Sequence, residues 1–429
     1  MTAPPPGAGD PCDVLVIGGG PAGSTAAALL AEQGRDVVLL EQGSHPRFHV
    51  GESLLPLNLP ILDRLGVREE IHAMGVFKPG AEMISEATGR SVDFNFATGL
   101  DRVCTHSYQV RRAQFDAALF ANAGRRGART LQQARVTQVD LPAASQQRAR
   151  VLARRDDGTT ACFAPRFVLD ASGRETFLAG RLRARQADKT NNTAAVYAHF
   201  RRVACRDDEM AGCVSVHLAA DGWFWVIPLP EGIASVGFVG TQAAFKRRTA
   251  APGDFLLAQI HTAPRLQARM HDAELVSEVM TAANYSYRAG SCWGERYMLI
   301  GDAYAFIDPV FSSGVLLAMT SAMLGAEVAD AWLDDAARGR RLARAAERRL
   351  RHGMDRLNWL IYRINDPVLR FLLLRPNNRF HMRDGLISLL AGNLDDTPGL
   401  RLPVLAFKGV YHLLSLAGRL GLRLPEAAT

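Results

Sequence analysis

Gly18-Gly19-Gly20-Pro21-Ala22-Gly23 stands between an apolar run, Asp13-Val-Leu-Val-Ile17, and a stretch of small residues from Ala22 to Gln33. The run reads as a buried strand and the small-residue stretch as a closely packed helix. A Gly-x-Gly-x-x-Gly turn at such a junction has a physical purpose. Gly18 permits the tight turn, Gly20 lets backbone approach a pyrophosphate, and Gly23 lets the helix pack on the strand. The helix N-terminus, with Pro21 and Ala22 in its first turn, stabilises phosphate charge. A second strand is expected over Asp36–Leu40, ending at Glu41, 23 residues after Gly18, where a carboxylate can accept from a ribose hydroxyl. The junction predicts an α/β fold with a Rossmann-like nucleotide-binding domain.

The chain has 429 residues, 48% of them apolar and 22% charged, which suits a globular protein of two or three domains or one large mixed fold. The net charge is +7, yet lysine occurs only at Lys78, Lys189, Lys246 and Lys408, so arginine carries nearly all the positive charge. No nucleic-acid-binding module accompanies it, and no nucleic-acid partner is expected. The six cysteines show neither Cys-x-x-Cys nor Cys/His ligand spacing. Reduced thiols in a cytoplasmic protein without a metal site are expected. No secretory signal is read before the first strand, and glycine interrupts the most apolar early stretch, so no transmembrane segment is expected.

Helical patterns recur around Leu54–Leu65 and Ala113–Arg125, and strands around Arg150–Ala153 and Phe163–Leu169. From Thr193 to Gly240, β-branched and aromatic runs separated by turns lack the helices a parallel sheet needs, and predict an antiparallel sheet that carries substrate. Strand-turn-helix patterning returns at Tyr297, and after Ser321 the chain reads as helical through Leu402–Leu424. The division is residues 12–190 with 290–335 as a discontinuous nucleotide-binding domain, 191–289 as an inserted, mostly antiparallel substrate region, and 336–429 as a helical C-terminal region.

Far downstream, after an apolar strand, comes Gly301-Asp302-Ala-Tyr-Ala-Phe-Ile-Asp308-Pro309. A buried aspartate at a strand end suits a ribityl hydroxyl, which favours FAD over NAD. Together with Gly51-Glu52-Ser53-Leu-Leu-Pro56, Arg111 with Phe115-Asp116, and Asp170-Ala-Ser-Gly173, this segment makes the chain resemble the FAD-dependent monooxygenase superfamily. Specifically, it resembles the flavin-dependent halogenase branch over roughly residues 12–330. The resemblance implies that Ser53, Arg111, Asp170, Gly301, Asp302, Pro309 and Gly314 join the glycine loop and Glu41 in binding FAD.

Trp223-Phe-Trp225-Val-Ile227-Pro228 matches the Trp-x-Trp-x-Ile-Pro signature of that branch. Two tryptophans two residues apart on a strand point to one face. In the family they stand beside the flavin and keep substrate from it, so Trp223, Trp225, Ile227 and Pro228 are expected to shield the cofactor. Lys78 lies where the family keeps its catalytic lysine. An amine can carry oxidised halogen as a haloamine, or donate a hydrogen bond to hypohalous acid, whereas a guanidinium stays protonated and is a poor nucleophile. Ser313 and Gly314 open an apolar helix whose free N–H groups can receive a halide. Tryptophan halogenases carry glutamate just before that turn; Phe311 stands here, which points to phenol- or pyrrole-type substrates.

The implied reaction uses reduced FAD, O2 and chloride or bromide to halogenate an electron-rich aromatic, free or bound to an acyl carrier protein, in secondary-metabolite biosynthesis. No second dinucleotide fingerprint is evident, so a separate flavin reductase is the expected partner. The competing readings are an FAD-dependent hydroxylase, a reductase resembling the geranylgeranyl reductases, and a flavin-binding scaffold without catalysis. Seven arginines between Arg338 and Arg351 suit either a solvated helix face or a docking face for an acidic carrier protein. His45, His49, His72 and His199 read as surface or core histidines, and Leu402–Leu424 as an amphipathic helix packed on the body.

Overall fold

A computed structural model describes residues 9–100, 104–142, 148–188, 193–246, 250–283, 286–395 and 398–420. Strand Asp10–Ile17 buries Val14, Leu15, Val16 and Ile17 and pairs in parallel with Val37–Leu40 on one side and Thr160–Asp170 on the other. Arg129–Leu131 continues the parallel sheet beyond Val37–Leu40, and Tyr297–Leu299 beyond Thr160–Asp170. Antiparallel strands Ala134–Asp140 and Arg150–Arg155 extend it from Thr160–Asp170. Continuous apolar runs suit a parallel sheet buried on both faces. Helix Pro21–Glu32 packs against both Arg112–Arg125 and Gly314–Asp334. The register aligns Ile17 with Leu40 and Asp170, and Asp170 with Leu299. Gly18, Glu41, Ala171 and Ile300 therefore meet at the carboxyl edge of the sheet, where open α/β folds bind ligands.

The second sheet runs Glu274–Leu275, Thr193–Arg201, Ile233–Thr241, Gly222–Leu229, Val214–Ala219, Gly80–Ser85, Ser91–Asn95, with Met280–Ala283 also on Thr193–Arg201. Its pairs are antiparallel except Val214–Ala219 with Gly80–Ser85. The antiparallel substrate sheet is thus present, but two of its strands, Gly80–Ser85 and Ser91–Asn95, come from the stretch that sequence division gives to the nucleotide-binding domain. A parallel pair requires a long crossover, here through the intervening nucleotide-binding strands. Helices Pro252–His261 and Pro264–Arg269 cover one face, packing Phe255, Leu256, Ile260 and Leu266 on Phe224 and Phe238. The other face presents Trp223, Trp225 and Ile227 toward a core completed by Leu357, Leu360, Leu369, Leu386 and Leu390 of the C-terminal helices.

The expected helix Leu54–Leu65 is instead a 3-10 turn, Pro56–Asn58, followed by helix Leu59–Leu65, because Pro56 and Pro60 each fit only a first turn. The last helix is Pro398–Arg419, and residues 421–424 of its expected span lie outside the described residues. It buries Leu400, Val404, Phe407 and Tyr411 and leaves Leu402, Leu405, Leu413 and Leu416 exposed. Among the described residues, this helix and Gly314–Asp334 are long and apolar enough to cross a membrane; Gly314–Asp334 is a core helix.

Candidate active site

At the carboxyl edge of the parallel sheet, reaching to the second sheet, lies a cavity of about 660 Å³. Gly18, Gly20, Pro21, Ala22, Glu41, Gln42 and Gly43 line one end. Gly18 has φ +100°, and a Cβ there would lie 2.4 Å from the Ala171 carbonyl oxygen. A Cβ on Gly23 would lie 1.8 Å from the Gly18 carbonyl oxygen, so the helix closes on the strand only with glycine at this position. Glu41 braces the loop: its Oε2 accepts from the Gly19 N–H at 2.8 Å and its Oε1 from the Gly43 N–H at 2.9 Å.

Asp170 shapes the wall without forming it. Buried, with its carboxyl pushed up by that burial, it accepts from the N–H groups of Ser172 (2.9 Å) and Leu178 (2.7 Å). The turn it holds places Ala171, Ser172 and Gly173 on the cavity. Gly301, at φ +59°, turns the chain and donates its N–H to Ser321 Oγ at 2.7 Å. Asp302 faces the cavity, where burial pushes its carboxyl up to about 6 against the opposing charges of Arg112 and Arg174. Pro309 opens the turn Pro309–Phe311, and its side chain lies outside the described residues.

Arg111 is not among the residues that line the cavity and pairs with Glu231 at 2.9 Å. Its neighbour Arg112 does line the wall, gripping Asp116 at 2.8 and 3.0 Å and donating to the Val50 carbonyl at 2.8 Å. Arg112 opens helix Arg112–Arg125, which sets its side chain on the face shared with Asp116, four residues on.

Trp223, Trp225 and Ile227 line the cavity, while Pro228 lies on their strand off the wall. The indole centroids are 5.9 Å apart, and Trp225 Nε1 donates to Ser235 Oγ at 3.1 Å. Gly237 lies directly across from Trp225 and leaves room for its ring. Tyr197, 5.7 Å from Trp225, continues the aromatic wall.

Lys78 ends the short strand Val76–Lys78, paired with Ser107–Gln109. It is only 1% exposed. Its Nζ donates to Ser53 Oγ and the Leu54 carbonyl, both at 2.8 Å, and stands 5.3 Å from the Phe96 ring centroid. Burial lowers the ammonium from about 10.5 to about 7. Ser53 is on the cavity wall.

Ser312 and Gly314 also line the cavity, at the start of helix Gly314–Asp334. The Ser313 carbonyl accepts from the Leu317 N–H at 2.9 Å, while its buried hydroxyl has no hydrogen-bond partner among the described residues. A buried polar atom without a partner beside free helix N–H groups marks a place for a polar ligand. With the glycine cradle and the cavity-facing Asp302, these residues fit FAD.

The sequence profile of the FAD binding domain family matches residues 11–359. The 1H-pyrrole-2-carbonyl peptidyl-carrier protein chlorinase of Pseudomonas fluorescens is 31% identical over 427 residues, 92% of this chain and 91% of that protein. This chain belongs to the flavin-dependent halogenase family. Tryptophan 2-halogenase of Chondromyces crocatus is 34% identical over 317 residues, 73% of this chain. The chain spans 60% of that protein's length, and 66% and 64% of two Armillaria mellea flavin-dependent halogenases. The structure of the flavin-dependent brominase Bmp2 superposes with a TM-score of 0.83 at 26% identity, covering 95% of this chain and all of that one.

Several residues on the cavity of this halogenase-family chain have no site role in the sequence reading, which takes His49 as a surface or core histidine: Arg47, His49, Glu52, Arg112, Arg174 and Tyr197. His49 is held down to about 4 by the Arg112 guanidinium and by burial. The four-residue spacing of Arg112 and Asp116 could have identified that pair, and Glu52 stands inside the Gly51–Pro56 motif; nothing local marks the others. Of the seven arginines between Arg338 and Arg351, Arg340 pairs with Glu295, Arg349 with Asp395 and Arg351 with Glu347. Arg338, Arg341, Arg344 and Arg348 are exposed.

Proposed function

We propose that this chain halogenates an electron-rich phenolic or pyrrolic ring, with Lys78 as the residue that carries the halogen. The carrying observation is the Lys78 environment. An amine brought to about 7 by burial is substantially neutral at physiological pH, and only the neutral amine has a lone pair to offer. Bound and reduced, FAD would supply two of the four electrons that take dioxygen to the level of water, while halide gives up the other two. The Gly18–Gly23 loop, Glu41, Arg112 and Asp302 would hold the cofactor. The helix start at Ser313 and Gly314 would receive the halide, since the first N–H groups of a helix favour anions. Trp223, Trp225 and Ile227 form an apolar screen between cofactor and ring, and Ser53 links Lys78 to the cavity.

Phe311, 6% exposed, stands in place of a carboxylate and sets the substrate class. Without that group the ring must bring its own activation, as a phenol or pyrrole does. The near full-length match to a chlorinase of a carrier-bound pyrrole supports a tethered substrate, and the exposed Arg338, Arg341, Arg344 and Arg348 would face the acidic carrier. The test supplies the chain with FAD, oxygen, chloride or bromide and a separate reductase, and offers phenolic and pyrrolic acids free and carrier-bound. Product bearing the halogen isotope pattern is expected only with halide and reductase present. Oxygenated product without halide, or rapid NADPH oxidation by the chain alone, would overturn the reading.

A further inference from the structure

Delivery of halogen by Lys78 leaves the ring's proton unassigned. Electrophilic aromatic substitution ends when the ring loses a proton, and the base that takes it must border the cavity. Five carboxylates do so among the described residues: Glu41, Glu52, Asp116, Glu175 and Asp302. Glu41 is engaged by the Gly19 and Gly43 N–H groups, and Asp116 by Arg112 at 2.8 and 3.0 Å. Glu175 accepts from Gln42 at the exposed rim. Asp302 belongs to the cofactor end, beside the start of the Gly314–Asp334 helix. Glu52 differs from all four. It immediately precedes the serine that holds Lys78, and its Oε1 is 2.9 Å from His199 Nε2.

His199 comes from the substrate sheet, 147 residues away, and its ring packs edge-on against Phe48 with centroids 5.5 Å apart. Its backbone N–H donates to Ser277 Oγ at 2.9 Å, which fixes the strand at that point. A carboxylate oriented by an imidazole, on the wall next to the halogen carrier's partner, has the arrangement of a base held by a second group.

We infer that Glu52 is the base that accepts the ring proton and that His199 is its positioning residue, an inference that rests on the proposed halogenation. A π pair of the ring forms the new carbon–halogen bond. The bond joining halogen to its nitrogen or oxygen carrier breaks, its pair staying on the carrier. The carbon–hydrogen pair then restores aromaticity as the proton passes to a Glu52 oxygen.

The experiment uses the full chain with FAD, a reductase and bromide, and ring-deuterated phenol and pyrrole-2-carboxylate, free and as carrier thioesters. Glu52→Gln is expected to keep FAD binding and to slow halogenation by about 100-fold or more, the scale of a lost general base. Proton loss then limits the rate, so a primary deuterium isotope effect absent from the natural chain should emerge. Added formate should partly restore Glu52→Ala. His199→Phe should give a smaller loss with the same isotope effect. If Glu52→Gln stays within about threefold of the natural chain and shows no isotope effect, Glu52 is not the base. A slow variant that lacks the isotope effect, or a Glu52→Ala that formate does not restore, reduces Glu52 to a structural role and overturns the inference. Failure of the natural chain to halogenate any of these probes removes the halogenase reading and Glu52's role with it.

Discussion

Lys78 Nζ donates to Ser53 Oγ at 2.8 Å, and the serine of this pair is the residue that borders the cavity. The amine thus sits one hydrogen bond behind the wall, screened from water, and its reactivity is set by burial. Lys78→Ala is expected to abolish halogenation while FAD affinity, measured by flavin fluorescence, stays within about threefold. Lys78→Arg should fail equally, because a guanidinium does not give up its proton in this range. Halogenated product from the arginine variant above about a tenth of the natural yield would contradict the role.

The same burial has a stability consequence whose sign is definite. An unfolded lysine holds its proton to about pH 10.5, whereas the buried one releases it at about 7. Between those values the unfolded chain binds more protons, so the natural chain gains stability as pH rises. Lys78→Met removes that slope. At pH 7 the methionine variant should melt higher, by a margin worth at most ~4 kcal/mol before the lost hydrogen bonds are counted. The margin should shrink toward pH 10. Thermal melts across that window that stay parallel would show that burial does not depress the amine.

A Cβ on Gly237 would lie 2.2 Å from the Trp225 ring. Gly237→Ala should therefore displace the indole and strain its bond to Ser235, at a cost of about 1–3 kcal/mol. Melting temperature and halogenated product per reduced flavin consumed should both fall. Trp225→Phe in the same chain should recover most of the stability and less of the product yield. An unchanged melt for Gly237→Ala would mean the sheet flexes enough to make the glycine dispensable.

Arg338, Arg341 and Arg348 are exposed, whereas Arg340, Arg349 and Arg351 are spent on neighbouring carboxylates. If an acidic carrier docks here, Arg338→Glu, Arg341→Glu and Arg348→Glu together should raise KM for the carrier-bound acid about tenfold and leave the free acid unaffected. Salt should act likewise, since charge–charge attraction is largely screened beyond about 10 Å at 0.1 M. Equal use of free and carrier-bound acid, indifferent to salt, would leave the helix a solvated face.

What could be read before any coordinates follows from how local each requirement is. The turn at Gly18–Gly23 needs particular residues at particular offsets, and strand, turn and helix all fall where those offsets put them. Trp223 and Trp225 share a face because side chains alternate along a strand, which holds wherever the strand pairs. The Val-Arg-x-x-x-Phe-Asp pattern selects Arg111; helix geometry instead favours Arg112, since only Arg112 has Asp116 one turn away. Asp170 and Gly301 mark the right turns but act through backbone hydrogen bonds to residues further along. Glu52 and His199 meet only when the loop before Ser53 folds against the substrate sheet, and no spacing announces a contact across 147 residues.

The Gly80–Ser85 strand beside Val214–Ala219 bears on how this family can be recombined. A chimera that exchanges only residues 191–289 would seat one parent's strand edge against the other's, across the one parallel seam in that sheet. Segment 80–95 must travel with the insert, and Lys78 lies two residues before its first residue. The transplanted segment then joins the host chain beside Lys78, so a graft of the sheet sets its junction next to the lysine proposed to carry halogen and bears on its bonds to Ser53 and Leu54.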